Sequence, residues 1–226
     1  MNALAGRRSH EWRPATRSYA SGMAASRRRA LTPEGREQRE RILRAAIDLF
    51  TAHGFRGASL DRVAAAVGIS RQGVLHYFPS KTHLLLGVIE LRDEEGVARA
   101  EARAARDMDA DLASALLATV EHNQREPDLT RLFTVLAAES VAPEHPGNER
   151  FRERYRTIRE IMTRAVQEGQ DAGQLVAHAD PVMIATLLIA MMDGLQLQFL
   201  LDADAVDMVG PAAALLDLLS ATRSHH

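Results

Sequence analysis

The chain has 226 residues, 46% of them hydrophobic and only 4% aromatic, and it has no cysteine, which excludes disulfides and thiolate chemistry. Its abundance of alanine, leucine, arginine and glutamate favours helices over strands. The net charge of −2 is uneven, because residues 1–83 carry 15 basic against 6 acidic side chains, a net of +9, and the other 143 residues carry −11. A basic N-terminal third indicates that this part of the chain faces a polyanion.

Residues 1–31 mix arginine, serine, alanine and glycine without periodicity, and we interpret them as a disordered basic tail. No apolar stretch of signal-peptide length follows the early arginines. Met23 offers an alternative start that would remove residues 1–22. The three arginines at 27–29 predict either a solvated tail or an arm that touches phosphates or a minor groove.

The first ordered segment begins at Thr32 and Pro33, because threonine caps helices and proline is favoured at the first helical position. Ile42, Ala46 and Phe50 follow on one helical face, and a glycine at position 54 closes the helix. Together with the next two helices, this segment predicts a three-helix domain over residues 32–80.

The stretch from Ser59 to Lys81, SLDRVAAAVGISRQGVLHYFPSK, predicts two short helices joined by a tight turn. Its first helix shows apolar spacing of i, i+3, i+4 and i+7 and ends at Gly68. Ala64 and Val74 flank this glycine, a small residue for the helix crossing and an apolar anchor for the second helix. The spacing fits a DNA-binding helix-turn-helix, and it also fits an ordinary helical hairpin.

The wider pattern, with HGF ahead of the loop, AxxVGIS at the turn and HYFPSK after it, resembles the tetracycline-repressor (TetR) family of bacterial regulators. The resemblance covers residues 37–86, about a fifth of the chain. It implies an all-α fold in which a connecting helix joins the N-terminal helix-turn-helix domain to a C-terminal helical bundle that dimerises.

The resemblance also implies a set of DNA contacts. Ser59 and Lys81, at the starts of the second and fourth helices, would hold phosphates. In the recognition helix, Arg71, Gln72 and Gly73 would contact base edges. His76 and Tyr77 would contact the DNA backbone or the flanking bases. Gln72 stands where the family often has glycine or proline, and Leu75 where it commonly has tyrosine. The operator sequence therefore does not follow from the family.

Residues 81–226 predict six further helices, which we interpret as a ligand-binding and dimerisation domain. The fourth helix is apolar in its first half and highly charged in its second, as a connecting helix between two domains should be. It includes the acidic run 93–95, which we interpret as a solvated helix face rather than a metal site.

The segment from Val182 to Leu201 is apolar nearly all round, so every side of this helix needs cover. Its length would suit a membrane, but its polar residues argue against a membrane span. A second subunit is the expected cover, which predicts a homodimer. The predicted interface residues are Leu188, Leu215, Leu218 and Leu219.

A lipophilic effector pocket is predicted in the C-terminal domain, where methionines could adapt to a ligand. The residues assigned to it are Leu136, Met162, Met192 and Gln196. For any single methionine, ordinary core packing is the prior interpretation, and only the group as a whole indicates a pocket. The sequence carries no recognisable catalytic, metal-binding or cofactor-binding motif, so we expect neither enzyme activity nor a cofactor.

These observations predict a cytoplasmic, homodimeric transcriptional repressor that binds a palindromic DNA operator and is released by a small-molecule effector. The alternative from another class is a helical lipophile carrier or enzyme that retains a vestigial helix-turn-helix. Sequence-specific affinity for a palindrome separates the two hypotheses.

Overall fold

The computed structural model describes residues 31–104 and 111–221, and within these ranges the chain forms nine α-helices and no β-strand. The predicted all-α class is therefore confirmed, while the predicted tail lies almost entirely outside the described residues. The helices are α1 (Pro33–Gly57), α2 (Leu60–Val67), α3 (Arg71–Tyr77), α4 (Lys81–Ala104), α5 (Leu112–Arg125), α6 (Pro127–Glu139), α7 (Asn148–Asp171), α8 (Pro181–Leu201) and α9 (Val209–Leu219).

Helix α1 begins as its sequence predicts. The Thr32 hydroxyl accepts a hydrogen bond from the Gly35 N–H at 3.1 Å, and Pro33 is the first helical residue. Gly54 interrupts the helix with a φ of 66°, a left-handed conformation that glycine adopts at little cost. One further helical turn then places Phe55 beside the helix-turn-helix.

The largest hydrophobic core joins the N-terminal helices to part of the C-terminal region. It contains buried side chains of α1 to α4 together with Leu132, Phe133 and Leu136 of α6 and Phe151 of α7. Helix α6 packs directly on α1. The three N-terminal helices and the C-terminal helices therefore share one core across position 80, which gives the two regions a direct mechanical connection.

The remaining helices build a second region around two smaller cores. Helix α7 packs along α8, and α5 packs on α9. Leu112, Val166 and Leu188 belong to the second core, and Val120 and Met208 to the third.

Helix α8 is the one helix among the described residues that is long and apolar enough to cross a membrane by length and composition alone. Helices in the cores of soluble proteins have the same length and composition. In α8, however, only 28% of the most apolar stretch is buried within the chain. The helix therefore presents a large apolar surface that its own chain leaves uncovered.

Candidate nucleic-acid interface

The corner between α2 and α3 is built from one left-handed glycine and two serine caps. Gly68 has a φ of 71° and ends α2. The Ser59 hydroxyl accepts from the Arg62 N–H at 3.3 Å, and the Ser70 hydroxyl accepts from the Gly73 N–H at 3.1 Å. Because a capping hydroxyl keeps its own proton, Ser59 can still donate a hydrogen bond to a phosphate.

Helix α3 buries one side and exposes the other. Val74 is fully buried, as the predicted anchor should be, and Phe78 just beyond the helix is 3% exposed. The outward side carries the predicted recognition residues, with Arg71, Gln72 and His76 exposed and Gly73 and Tyr77 partly exposed. This arrangement is the one that a major-groove recognition helix requires.

Arg71 is tethered within the chain. Its Nη1 lies 3.4 Å from Oδ2 of Asp61 on α2, and both side chains are largely exposed. An exposed pair of this kind contributes little stability, so a base edge can replace the carboxylate at small cost. Asp61 was not predicted, because a contact across the turn leaves no periodic signal in the sequence.

Lys81 is held at the first turn of α4 by two contacts. Its Nζ donates to the Arg56 carbonyl at 3.2 Å and lies 4.6 Å from the centre of the Phe55 ring. Partial burial lowers the pKa of Lys81 below its ordinary value. The two contacts thus hold the lysine in one orientation. The HGF motif that contains Phe55 was recognised in the sequence, but its role in placing Lys81 was not.

The acidic run on α4 differs from its prediction as a solvated face. The Asp93 side chain is only 2% exposed and receives two arginines of α7. Arg150 Nη2 donates to Oδ2 at 3.1 Å and Arg154 Nε donates to Oδ1 at 2.7 Å. Glu95 pairs with Arg44 of α1. Two of the three carboxylates therefore tie α4 to other helices.

The four residues predicted for the effector pocket do not all belong to one hydrophobic core. Leu136 is buried in the first core beside the DNA-binding helices, whereas Met162 and Met192 pack against the second, and Gln196 is partly buried on α8. None of the four lines the cavity of about 250 Å³ between α5, α7 and α9. A single pocket formed by these four side chains therefore stays a prediction.

A polar contact joins α7 to the otherwise apolar helix α8. The Tyr155 hydroxyl donates to Oδ2 of Asp193 at 2.9 Å. Partial desolvation raises the pKa of Asp193, and desolvation together with the Asp193 charge raises the pKa of Tyr155 to about 12. The need for a polar residue on an apolar helix is thus met within the chain.

The predicted dimer residues divide into two groups. Leu188 is fully buried in the second core, so its assignment to an interface is wrong, whereas Leu218 is 65% exposed and Leu215 and Leu219 are partly buried. An exposed apolar stripe runs along the outward side of α8, with helical spacing, and it includes Leu187 rather than its neighbour Leu188. Its large members are Met183, Leu187, Leu197 and Leu201, each more than half exposed.

Two protein-family models match the chain. The model described as "Bacterial regulatory proteins, tetR family" matches residues 42–88. The model described as "BetI-type transcriptional repressor, C-terminal" matches residues 108–223, slightly more than half of the chain. The first match contains the helix-turn-helix, and the second contains α5 to α9.

Individual known proteins agree with these matches. The HTH-type transcriptional regulator RutR of Escherichia coli K12 is 34% identical over 99 residues, which are 42% of this chain and 46% of RutR, so the chain spans about half the length of this curated relative. Salmonella enterica GusR is similar in structure, with a TM-score of 0.68 and 24% identity over 85% of this chain and 98% of GusR. A putative regulator from Saccharomonospora viridis, solved with choline, gives a TM-score of 0.66 and 24% identity over 80% of this chain and 94% of its own. At these identities the two structures establish the fold.

Proposed function

Because the chain belongs to the tetR family of bacterial regulatory proteins, we propose that it is a dimeric, cytoplasmic repressor that binds a palindromic operator and releases it when a small molecule binds. The observation that carries the proposal is the outward side of α3, where Arg71, Gln72 and His76 are exposed on a helix fixed by caps and by buried Val74. Arginine and glutamine are the side chains that contact guanine and adenine edges with two hydrogen bonds.

The uncovered stripe of α8 supports the dimer. Two copies related by a two-fold axis would cover the stripe with itself, and α9 would extend it through Leu218. A dimer presents two recognition helices, which read two half-sites about one DNA turn, or 34–36 Å, apart. Binding to a palindrome therefore depends on this surface.

The test of this function is gel retardation of the intergenic DNA beside the protein's own gene, followed by footprinting. We expect a protected palindrome and a dimer in sedimentation at micromolar concentration. A helical carrier or enzyme with a vestigial helix-turn-helix would show no preference for a palindrome over random DNA, and that result would refute the repressor.

Lys81 supplies the first quantitative prediction. Lys81→Met removes a phosphate contact but keeps an apolar stem over the Phe55 ring, so the fold should be preserved. All DNA sequences should be bound more weakly, and the slope of log K against log salt should fall by about one per half-site. The measurement is a salt titration of operator affinity. Lys81→Arg is the matched control and should keep the wild-type slope; an unchanged slope in Lys81→Met would contradict a phosphate contact.

Arg71 supplies the second prediction, which concerns specificity. Arg71→Ala should relax discrimination at one base position per half-site by about 1–3 kcal/mol, since a bidentate base contact is lost. Selection from a randomised operator measures the effect. Asp61→Ala, which only releases the tether of Arg71, should retain the full preference. The placement of α3 in the major groove is wrong if Arg71→Ala selects the same sequences as the wild type.

A further inference from the structure

Arg92 of α4 is a partly buried cation whose charge is not neutralised by a neighbouring side chain. Its guanidinium lies over the Phe133 ring, 4.3 Å from the centre, and Nη2 donates to Oδ1 of Asn123 at 3.3 Å. Within the described residues, no carboxylate lies within ion-pair distance of Arg92. Its chain neighbour Asp93 is taken by the two arginines of α7.

Both arginines and carboxylates act on Arg92, and the arginines have the larger individual effects. Burial, followed by the charges of Arg154 and Arg99, lowers the pKa of Arg92 to about 10, against the opposing charges of Asp93 and Glu95. His122 of α5, adjacent in sequence to Asn123, has its pKa lowered by burial and by Arg99 and Arg92. The Nε2 atom of His122 is buried and has no hydrogen-bond partner among the described residues.

Burying the Arg92 guanidinium costs free energy unless an anion and hydrogen-bond acceptors compensate for the lost contact with water. A guanidinium has five N–H donors, of which Asn123 takes one, and buried charges in proteins are ordinarily paired. The ring of Phe133 covers one face of the guanidinium, and the other in-plane N–H groups remain as hydrogen-bond donors at its edge. Among the residues that the structure describes, the site therefore lacks one negative charge and an acceptor for in-plane N–H groups.

We propose that Arg92, assisted by His122, binds the carboxylate of a small organic acid, and that this acid is the effector of the repressor proposed above, on which the inference rests. A carboxylate is planar and can accept two parallel hydrogen bonds from a guanidinium. One uncompensated charge matches a monoanion, whereas a phosphate dianion would leave excess negative charge in a partly buried site. A quaternary ammonium such as choline is disfavoured by the same charges.

The position of Arg92 explains how such a ligand would affect DNA binding. Arg92 precedes Asp93, the residue that ties α4 to α7. A bound anion would cancel the repulsion between Arg92 and Arg154. It would thereby change the angle or distance at which α4 packs against α7. The start of α4 carries Lys81 at the DNA-binding surface.

The experiment is thermal denaturation of the DNA-free, full-length protein at constant ionic strength. The probes are sodium acetate and sodium benzoate, each compared with its neutral amide, acetamide or benzamide, and with choline chloride and sodium phosphate. We expect the carboxylates to raise the melting temperature in a saturable way, and the amides and choline not to do so. Arg92→Met should weaken the apparent carboxylate affinity about ten-fold or more. Arg125→Met, an exposed arginine near the end of α5, is the matched control and should respond as the wild type.

A second variant keeps the test decisive if Arg92→Met does not fold. Arg92→Lys retains the charge but loses the planar fork, so carboxylates should still exceed amides with a reduced affinity. Equal effects of carboxylates and amides on the wild type, or a wild-type response in Arg92→Met, would overturn the site. A larger stabilisation by phosphate than by carboxylates would overturn the carboxylate assignment. Operator retardation is measured separately. Absence of a carboxylate response in a protein that binds its operator refutes only this inference. A carboxylate response in a protein that binds no operator refutes only the repressor function.

Discussion

Leu187→Arg should yield a folded monomer that has lost operator binding. Leu187 is 62% exposed in the single chain, so an arginine there is tolerated by the isolated subunit. In the proposed dimer the two-fold axis would place two such arginines in an apolar interface, where unpaired charges cost several kcal/mol. Because linking two half-site contacts raises affinity by about 10²–10⁴, operator affinity should fall by about that factor. Sedimentation and operator titration measure the two effects.

Val141→Arg is the matched control, since Val141 is 76% exposed in the segment between α6 and α7, away from the α8 stripe. This variant should remain dimeric and bind the operator as the wild type does. Leu188→Arg, one residue from the first variant, should instead unfold the chain because Leu188 is fully buried. A dimeric Leu187→Arg with unchanged operator affinity would show that the α8 stripe is not the interface.

Asp93→Asn should lower the free energy of unfolding by about 3 kcal/mol. The substitution leaves Arg150 and Arg154, which are only 12% and 21% exposed, without their shared carboxylate. Removing one member of a buried ion pair is costly because the remaining charges stay desolvated. For a chain of this size the melting temperature should fall by about 6–12 °C, which calorimetry measures.

The matched control is Asp128→Asn, which removes a carboxylate from an exposed pair with Arg131 on α6. Exposed pairs contribute at most about 1 kcal/mol, so this variant should melt close to the wild type. Equal melting temperatures for the two variants would mean that the Asp93 cluster does not hold α4 against α7.

The helix-turn-helix was predictable because its determinants are local. The apolar spacing of α2 and the glycine at 68 both act within a few residues, and the structure shows each in its expected role. The start of α1 at Thr32 and Pro33 followed for the same reason.

The predictions failed where the decisive contact is distant in sequence, or where the apolar pattern of a helix does not indicate which side faces the core. Asp93 meets arginines 57 and 61 residues away, and nothing in the acidic run indicates which carboxylate turns inward. Helix α8 is apolar all round, so its sequence could not distinguish buried Leu188 from exposed Leu187. The place of Leu136 in the first core depends likewise on a distant contact, the packing of α6 on α1, which no local pattern indicates.

The ion cluster at Asp93 divides α4 into two lever arms. Asp93 is twelve residues after Lys81, which corresponds to about 18 Å along the helix. A rotation of about 5° around this pivot would swing the Lys81 end through an arc of about 1.6 Å, and opposite rotations in two subunits would change the half-site separation by about 3 Å. That displacement is as long as a hydrogen bond. A small angular change at the pivot is therefore sufficient to take a dimer out of register with its DNA.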